Sequence, residues 1–185
     1  MNQLIVARFN EDISWISHVQ KWEKLVVNKG ESFEKIPNVK LTQAENVGRE
    51  PETFLSYIVE NWDELPGQMA FVQGNPLDHA PNAVSELNTF AEKPGQFAWL
   101  NKNAKISCDR LGNPHHPGLD LANACVACQI LFPEEFVFVP GGQFVVSKER
   151  VKKHDLSVYK ELLSIAQNDA KGPWIIERLW GVLFA

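Results

Sequence analysis

Short apolar runs alternate with segments of helical spacing along this chain. Leu4-Ile5-Val6-Ala7-Arg8-Phe9 is apolar with β-branched residues, and predicts a strand. Asn10-Glu11-Asp12 brings capping side chains and acids, which predicts a helix start. Ile13, Ile16 and Val19 would line one face of that helix, with Trp15 and Trp22 available to pack. Lys24-Leu25-Val26-Val27 predicts a second strand, closed by the turn Asn28-Lys29-Gly30. Pro51 marks the first position of a helix on which Leu55, Ile58, Val59 and Trp62 keep helical spacing, and Pro66-Gly67 ends it. Met69-Ala70-Phe71-Val72 predicts a third strand, followed by Gln73-Gly74-Asn75-Pro76.

Further along, a helix is expected over 82–91, and Lys105-Ile106-Ser107-Cys108 has strand character. Gly112 to Gly118 forms a polar turn containing His115 and His116. Leu119 to Leu131 reads as a mostly buried helix, and Phe136-Val137-Phe138-Val139 as an apolar segment before Pro140-Gly141-Gly142. Gln143 to Val146 predicts another strand. Asp155 stands as the cap of a helix bearing Tyr159, Leu162, Leu163 and Ala166 on one face. Pro173 opens a last helix reaching about Phe184.

Strands and helices that alternate in this way predict an α/β fold with parallel βαβ pairing in the first half. Ligands of such sheets bind beyond the carboxyl ends of the strands. Here those ends are Arg8-Phe9-Asn10, Asn28-Lys29-Gly30 and Gln73-Gly74-Asn75, all of them polar.

Length and composition narrow the class. The 185 residues fit one domain, 1–185, and 44% apolar with 22% charged residues is globular. No apolar run approaches the ~20 residues of a membrane span. Met1-Asn2-Gln3 lacks the basic flank of a signal peptide, so the expected location is cytoplasmic. A net charge of −5 argues against nucleic acid as a partner, although a nucleotide needs only a few local cations.

Six constellations have side chains suited to chemistry. Arg8 with Asn10, Glu11 and Asp12 suits an anionic nucleotide at a helix start, or is an ordinary cap. In Asn46-Val47-Gly48-Arg49-Glu50, Gly48 permits close backbone approach and Arg49 opposes the helix dipole unless an anion or a nearby acid meets it. Gln73-Gly74-Asn75-Pro76-Leu77-Asp78-His79 offers one carboxylate, which is few for a hard cation. His115 and His116, with Asp78 and His79, would make a zinc or hydrolase site only if brought together. Cys125 and Cys128 form a single CxxC in Leu/Ala-rich flanks, which reads as core more readily than as a metal or redox site. Glu177 and Arg178 sit among apolar residues on nearly every helical face. Neighbours i and i+1 on a helix do not face each other, so each is expected to have its own partner. Glu177 is then a candidate base or half of a structural ion pair.

Several of these segments recur together in a known order. They are Leu4 to Asp12, Val27-Asn28-Lys29-Gly30, Asn46 to Glu50, Phe71 to Pro76, Gly141-Gly142-Gln143-Phe144 and Glu177-Arg178-Leu179-Trp180. As a set they resemble the DUF3431 family, which is similar to GT-A glycosyltransferases. The resemblance implies a single GT-A-like (Rossmann-like) mixed sheet flanked by helices. It implies transfer of a sugar from a nucleotide-sugar donor to a carbohydrate or other hydroxyl acceptor. Arg8 and Asn10 would approach the nucleotide, and Asn46, Gly48 and Arg49 the base, ribose or diphosphate. Gly142 and Gln143 would form a loop near the sugar, and Glu177, or else Asp155, would be the base.

Gln73-Gly74-Asn75 stands where such enzymes carry Asp-x-Asp for a divalent metal, and it has no carboxylate. The expectation is therefore metal-independent transfer, with Arg8, Lys29, Arg49 and Arg178 as the cations available for the leaving diphosphate. Mn2+ or Mg2+ held by Asp78 and His79 is the weaker alternative. The missing Asp-x-Asp equally suits a non-catalytic nucleotide- or sugar-binding module. The chain is short for the class, so a protein partner or a second copy would complete a small acceptor site.

Overall fold

The computed structural model describes residues 2–93 and 95–184. Its first strand, β1 (Asn2–Arg8), lies where the apolar run predicts it. No α-helix follows. Arg8 turns its Nε onto the Glu11 carbonyl at 2.9 Å and Nη1 onto the Phe9 carbonyl at 3.1 Å, so these carbonyls are engaged outside a helix. Asp12 instead accepts the Ser14 N–H at 2.8 Å and opens a short 3-10 turn, Ser14–His18. The apolar side chains still go inward: Ile13, Trp15, Ile16, Val19 and Trp22 are all buried.

Next come β2 (Glu23–Asn28) and β3 (Val39–Gln43), the latter not foreseen in the sequence. Helix α1 (Arg49–Glu60) begins two residues before Pro51, behind Gly48. Gly48 has φ 62, and an added Cβ would lie 2.7 Å from the Ala166 carbonyl. Only glycine suits both the left-handed conformation and that approach. Then follow β4 (Gln68–Gln73), a 3-10 turn at Pro76–Asp78, α2 (Ala83–Glu92), β5 (Phe97–Trp99) and β6 (Ile106–Cys108).

The expected helix over 119–131 is cut to α3 (Leu121–Ala127). Gln129 turns left-handed at φ 56, and Leu131 is 94% exposed rather than buried. β7 (Phe136–Phe138), β8 (Phe144–Ser147) and α4 (Lys148–Val151) lead to α5 (Leu156–Asn168) and α6 (Gly172–Phe184).

The main sheet has the order β3-β2-β1-β4-β8-β5. The strands β3, β2, β1 and β4 run parallel, and β8 is antiparallel to both β4 and β5. A small antiparallel pair, β6 with β7, stands apart. The sheet has a core on each face, and the two-residue period of the strands divides their side chains between them. Ile5, Phe71, Met69, Phe144 and Val146 point to the core shared with α1, α5 and α6. Leu4, Val6, Ala70, Val72 and Val145 point to the one shared with Trp15, Ile16 and α2. The structure is thus a mixed α/β sheet between helical layers.

From β1 the chain moves outward one way to β2 and β3, then crosses back to β4 on the other side of β1. The carboxyl ends of β1 and β4 therefore flank a topological switch point, where open α/β sheets form a crevice. Phe144 pairs with Phe71 and Ser147 with Gln68, so the loop entering β8 lies at the crevice end and the segment leaving it at the opposite edge.

Candidate functional site

Two adjoining cavities open at this switch point. The larger, about 280 Å³, includes Arg49, Gln73, Gly142 and Glu177 in its walls. The smaller, about 200 Å³, includes Arg8, Lys29, Asn46 and Arg49. Arg49 and Glu50 belong to both, so the first turn of α1 is the ridge between them. Each cavity alone is small, and together they reach the size of small-ligand sites, about 300–1,000 Å³.

Arg49 owes its place to Lys29. The buried Lys29 Nζ donates to the Val47 carbonyl at 2.6 Å, the Arg49 carbonyl at 2.8 Å and the Glu52 carboxylate at 2.5 Å. An ammonium has three donors, so none remains for a ligand. Lys29, expected to touch a diphosphate, is instead the clamp under the loop. The clamp holds Arg49 in a left-handed conformation, φ 54, which costs a side-chain-bearing residue energy. The guanidinium itself remains largely in solvent, 5.5 Å from the centre of the Trp174 ring and only 3.7 Å at best from Glu50.

Arg8 is also heavily committed. Besides the two carbonyls above, its Nη1 donates to Asn28 Oδ1 at 2.6 Å and to the Glu31 carbonyl at 3.0 Å, and its Cζ stacks 4.3 Å from the Phe33 ring centre. Only Nη2 lacks a protein partner among the described residues. Asn10 is drawn aside to accept the Glu31 N–H at 2.8 Å. Glu11 folds back to accept the Phe9 N–H at 2.7 Å and packs against Gly74, at the gap between β1 and β4.

On the far wall, Glu177 and Arg178 pair with each other through Glu177 Oε2 and Arg178 Nη1, contrary to the expectation of separate partners. Long helical side chains lean toward the N-terminus. Arg178 does so to reach the Trp174 carbonyl at 3.0 Å, and this carries it across Glu177. Its Cζ lies 4.2 Å from the Phe138 ring centre, so Arg178 is an internal brace. Glu177 Oε1 accepts the Gly141 N–H at 2.7 Å. Burial raises the carboxyl above its ordinary pKa, with Arg178 and the Gly141 N–H opposing and the nearby Glu50 charge adding to the rise. A carboxylate of this kind is suited to take up a proton.

His79 and His116 join this wall, and the His116 ring lies 4.8 Å from that of Trp174. Burial, with the Arg178 and Lys171 charges, lowers the His116 pKa. Asp78 and His115 line neither cavity, so the four-residue hydrolase site is not assembled. Among the described residues no group of three or more His, Cys, Asp and Glu is arranged to hold a metal ion. Gln73-Gly74-Asn75 at the end of β4 supplies no carboxylate, and these residues do not fit a divalent cation.

Gln143 is buried between strands, accepting the Gln73 N–H at 3.2 Å and donating to the Pro76 carbonyl at 3.1 Å, so it braces the site from behind. Asn75 starts the Pro76–Asp78 turn outside both cavities. Asp155 stands before α5 without a side-chain cap bond. It follows β8 and α4, at the opposite edge of the sheet, and cannot serve as the base of this crevice. Cys125 and Cys128 are buried core thiols, as their flanks predict.

Trp174 and Trp180 were missed as wall residues. The signal was present, since 174, 177 and 180 follow one another at i, i+3 spacing and share a helical face.

The sequence model of the family described as Protein of unknown function (DUF3431) matches residues 4–104. That is more than half of the chain. The chain belongs to the DUF3431 family. The matched part holds most of β1, β2 to β5 and the Arg49 ridge itself, while Gly142 and Glu177 on the far wall of the larger cavity lie beyond it. No curated protein and no solved structure matches the chain. No helix among the described residues is long and apolar enough to cross a membrane.

Proposed function

We propose that this DUF3431 protein binds a nucleotide-sugar donor in the crevice and transfers the sugar to a hydroxyl acceptor without a metal. The observation that carries the reading is that an uncommitted guanidinium, Arg49, and a carboxylate of raised pKa, Glu177, line one cavity at the β1/β4 switch point. Arg49 is the exposed cation left to meet the diphosphate, because Lys29 spends all three donors inside the protein, Arg178 is buried with its Nη1 held by Glu177 and the Trp174 carbonyl, and Arg8 retains only Nη2. Its position beside Trp174 puts a guanidinium and an aromatic ring side by side, a pairing suited to the phosphate and base of a nucleotide. The GT-A-like arrangement is supported by the mixed sheet with its parallel half.

The chemistry is then a displacement at the anomeric carbon. The acceptor oxygen forms the new bond, its proton passes to Glu177, and the bond to the diphosphate breaks with its electron pair on the departing nucleotide. Arg49 stabilises the charge that grows there.

A non-catalytic binding module is favoured by a different observation. Both oxygens of Glu177 already have protein partners, Gly141 and Arg178. A thermal-shift screen of nucleoside diphosphates and nucleotide sugars, with and without Mn2+, tests the binding common to both readings. Release of free sugar from the donor that binds separates them, since the module predicts binding with no turnover.

A further inference from the structure

His79 lies in the wall of the larger cavity and has no part in the chemistry described so far. Its backbone is fixed where the turn after β4 ends. The His79 N–H donates to the Pro76 carbonyl, and the His79 carbonyl accepts from Asn101 Nδ2 at 2.6 Å. The side chain packs onto Gly141, where an added Cβ would lie 2.9 Å from Cβ, Cγ and Cδ2 of His79. The same Gly141 donates its N–H to Glu177 Oε1 at 2.7 Å. One glycine therefore stands between the imidazole and the carboxylate, and both line one cavity. The two groups differ in what holds them. Glu177 accepts from Gly141 and Arg178, and its side chain is only 19% exposed. His79 is exposed, and neither ring nitrogen has a protein partner among the described residues.

A base must lose the proton it gains before it can act again. Glu177 holds its proton more tightly than an ordinary carboxyl, because it is buried. An exposed imidazole close by can take such a proton and exchange it with water near neutral pH. The other charged groups around the cavity are less suited. His116 lies against the Trp174 ring, and burial with the Arg178 and Lys171 charges disfavours its protonation. Arg49 and Arg178 are permanent cations, and Glu50 stands on the ridge beside Arg49. We propose that Glu177 and His79 form one acid–base pair on the two sides of Gly141, with His79 as its proton-relay residue. The proton that Glu177 takes from the acceptor hydroxyl passes, by way of a water, to the lone pair of a His79 ring nitrogen. The carboxylate is restored, and the imidazolium gives the proton up to solvent. This deepens the glycosyl-transfer reading and rests on it.

The test is a pH titration of the histidine ring signals of the full chain by NMR, with His79 assigned through its backbone. Beside its own titration, the His79 signal should show a second inflection at more acidic pH, as Glu177 ionises. His18 and His154, which line neither cavity, should lack it. Glu177→Gln should remove that inflection. Its absence from wild type overturns the pair, and this measurement decides even if the variants fail to fold. Its persistence in Glu177→Gln overturns the pair as well. Release of free sugar from UDP- and GDP-sugars reads the relay. His79→Gln should lower kcat about tenfold or more with KM little changed, and added imidazole should restore part of the loss. Full turnover in His79→Gln, or a loss that imidazole leaves untouched, refutes the relay while glycosyl transfer stands. If the inflection is present and no nucleotide sugar is turned over, the pair stands and glycosyl transfer is refuted.

Discussion

Arg49 and Glu177 line the same cavity, one from the first turn of α1 and the other from the middle of α6. Sequence distance hides this relationship, and the fold produces it by closing α6 against α1 and turning the loop before β8 toward the carboxyl end of β4.

Arg49→Ala should weaken nucleoside diphosphate binding by about tenfold or more, because a hydrogen bond to a charged group contributes roughly 1.5–3 kcal/mol. The side chain is exposed and its only ion pair among the described residues is loose, so the thermal midpoint without ligand should hardly move. Calorimetric titration and a melting curve read the two effects separately.

Lys29→Met should be costly in both respects. It strands the Glu52 carboxylate, whose side chain is 14% exposed, and removes the clamp on the Arg49 carbonyl. Breaking a buried pair on one side costs about 3–5 kcal/mol. Urea denaturation measures the loss, and Lys29→Met with Glu52→Gln should recover part of the stability without restoring nucleotide affinity.

Glu177 should impose a pH dependence of definite sign. Its folded pKa lies above the ordinary value of 4.5, chiefly because it is buried. The native state then holds the proton more tightly than the unfolded chain. The stability this contributes is complete below pH 4.5 and is lost as pH rises through the folded value. Urea midpoints of wild type and Glu177→Gln across mildly acidic pH should show wild type losing stability relative to the variant as pH rises. At neutral pH Glu177→Gln should bind donor and fail to turn it over.

Cys125 and Cys128 should behave as core atoms. Burial pushes their thiols up to about 11 and about 12, so little thiolate forms at neutral pH. A thiol reagent should label them only as fast as the protein unfolds. Rapid labelling of the native chain would contradict the core assignment.

Much of the parallel half was legible, because β1, β2 and β4 are apolar runs closed by polar turns, and their ends do form the crevice. β3 was not, since it is an edge strand in which only Val39 is buried, and β5 was not, since three residues are too few to show a period. The helix expected after β1 failed through Arg8, whose long-range role in binding loop carbonyls no local pattern reveals. Arg8, Lys29 and Arg178 were legible as buried or strand-end cations, but not their partners, and it is the partners that leave Arg49 uncommitted. The rule that helical neighbours face apart did not hold for Glu177 and Arg178, because Arg178 is long enough to reach across.

The most direct test of the account is titration of wild type and Arg49→Ala with UDP, GDP and their sugar conjugates. A ligand at a hundred times its dissociation constant should stabilise wild type by about 2.7 kcal/mol, and far less stabilisation should remain at the same concentration in Arg49→Ala. Equal stabilisation of both proteins, or none of either by any of these nucleotides, would contradict the placement of a nucleotide sugar at Arg49.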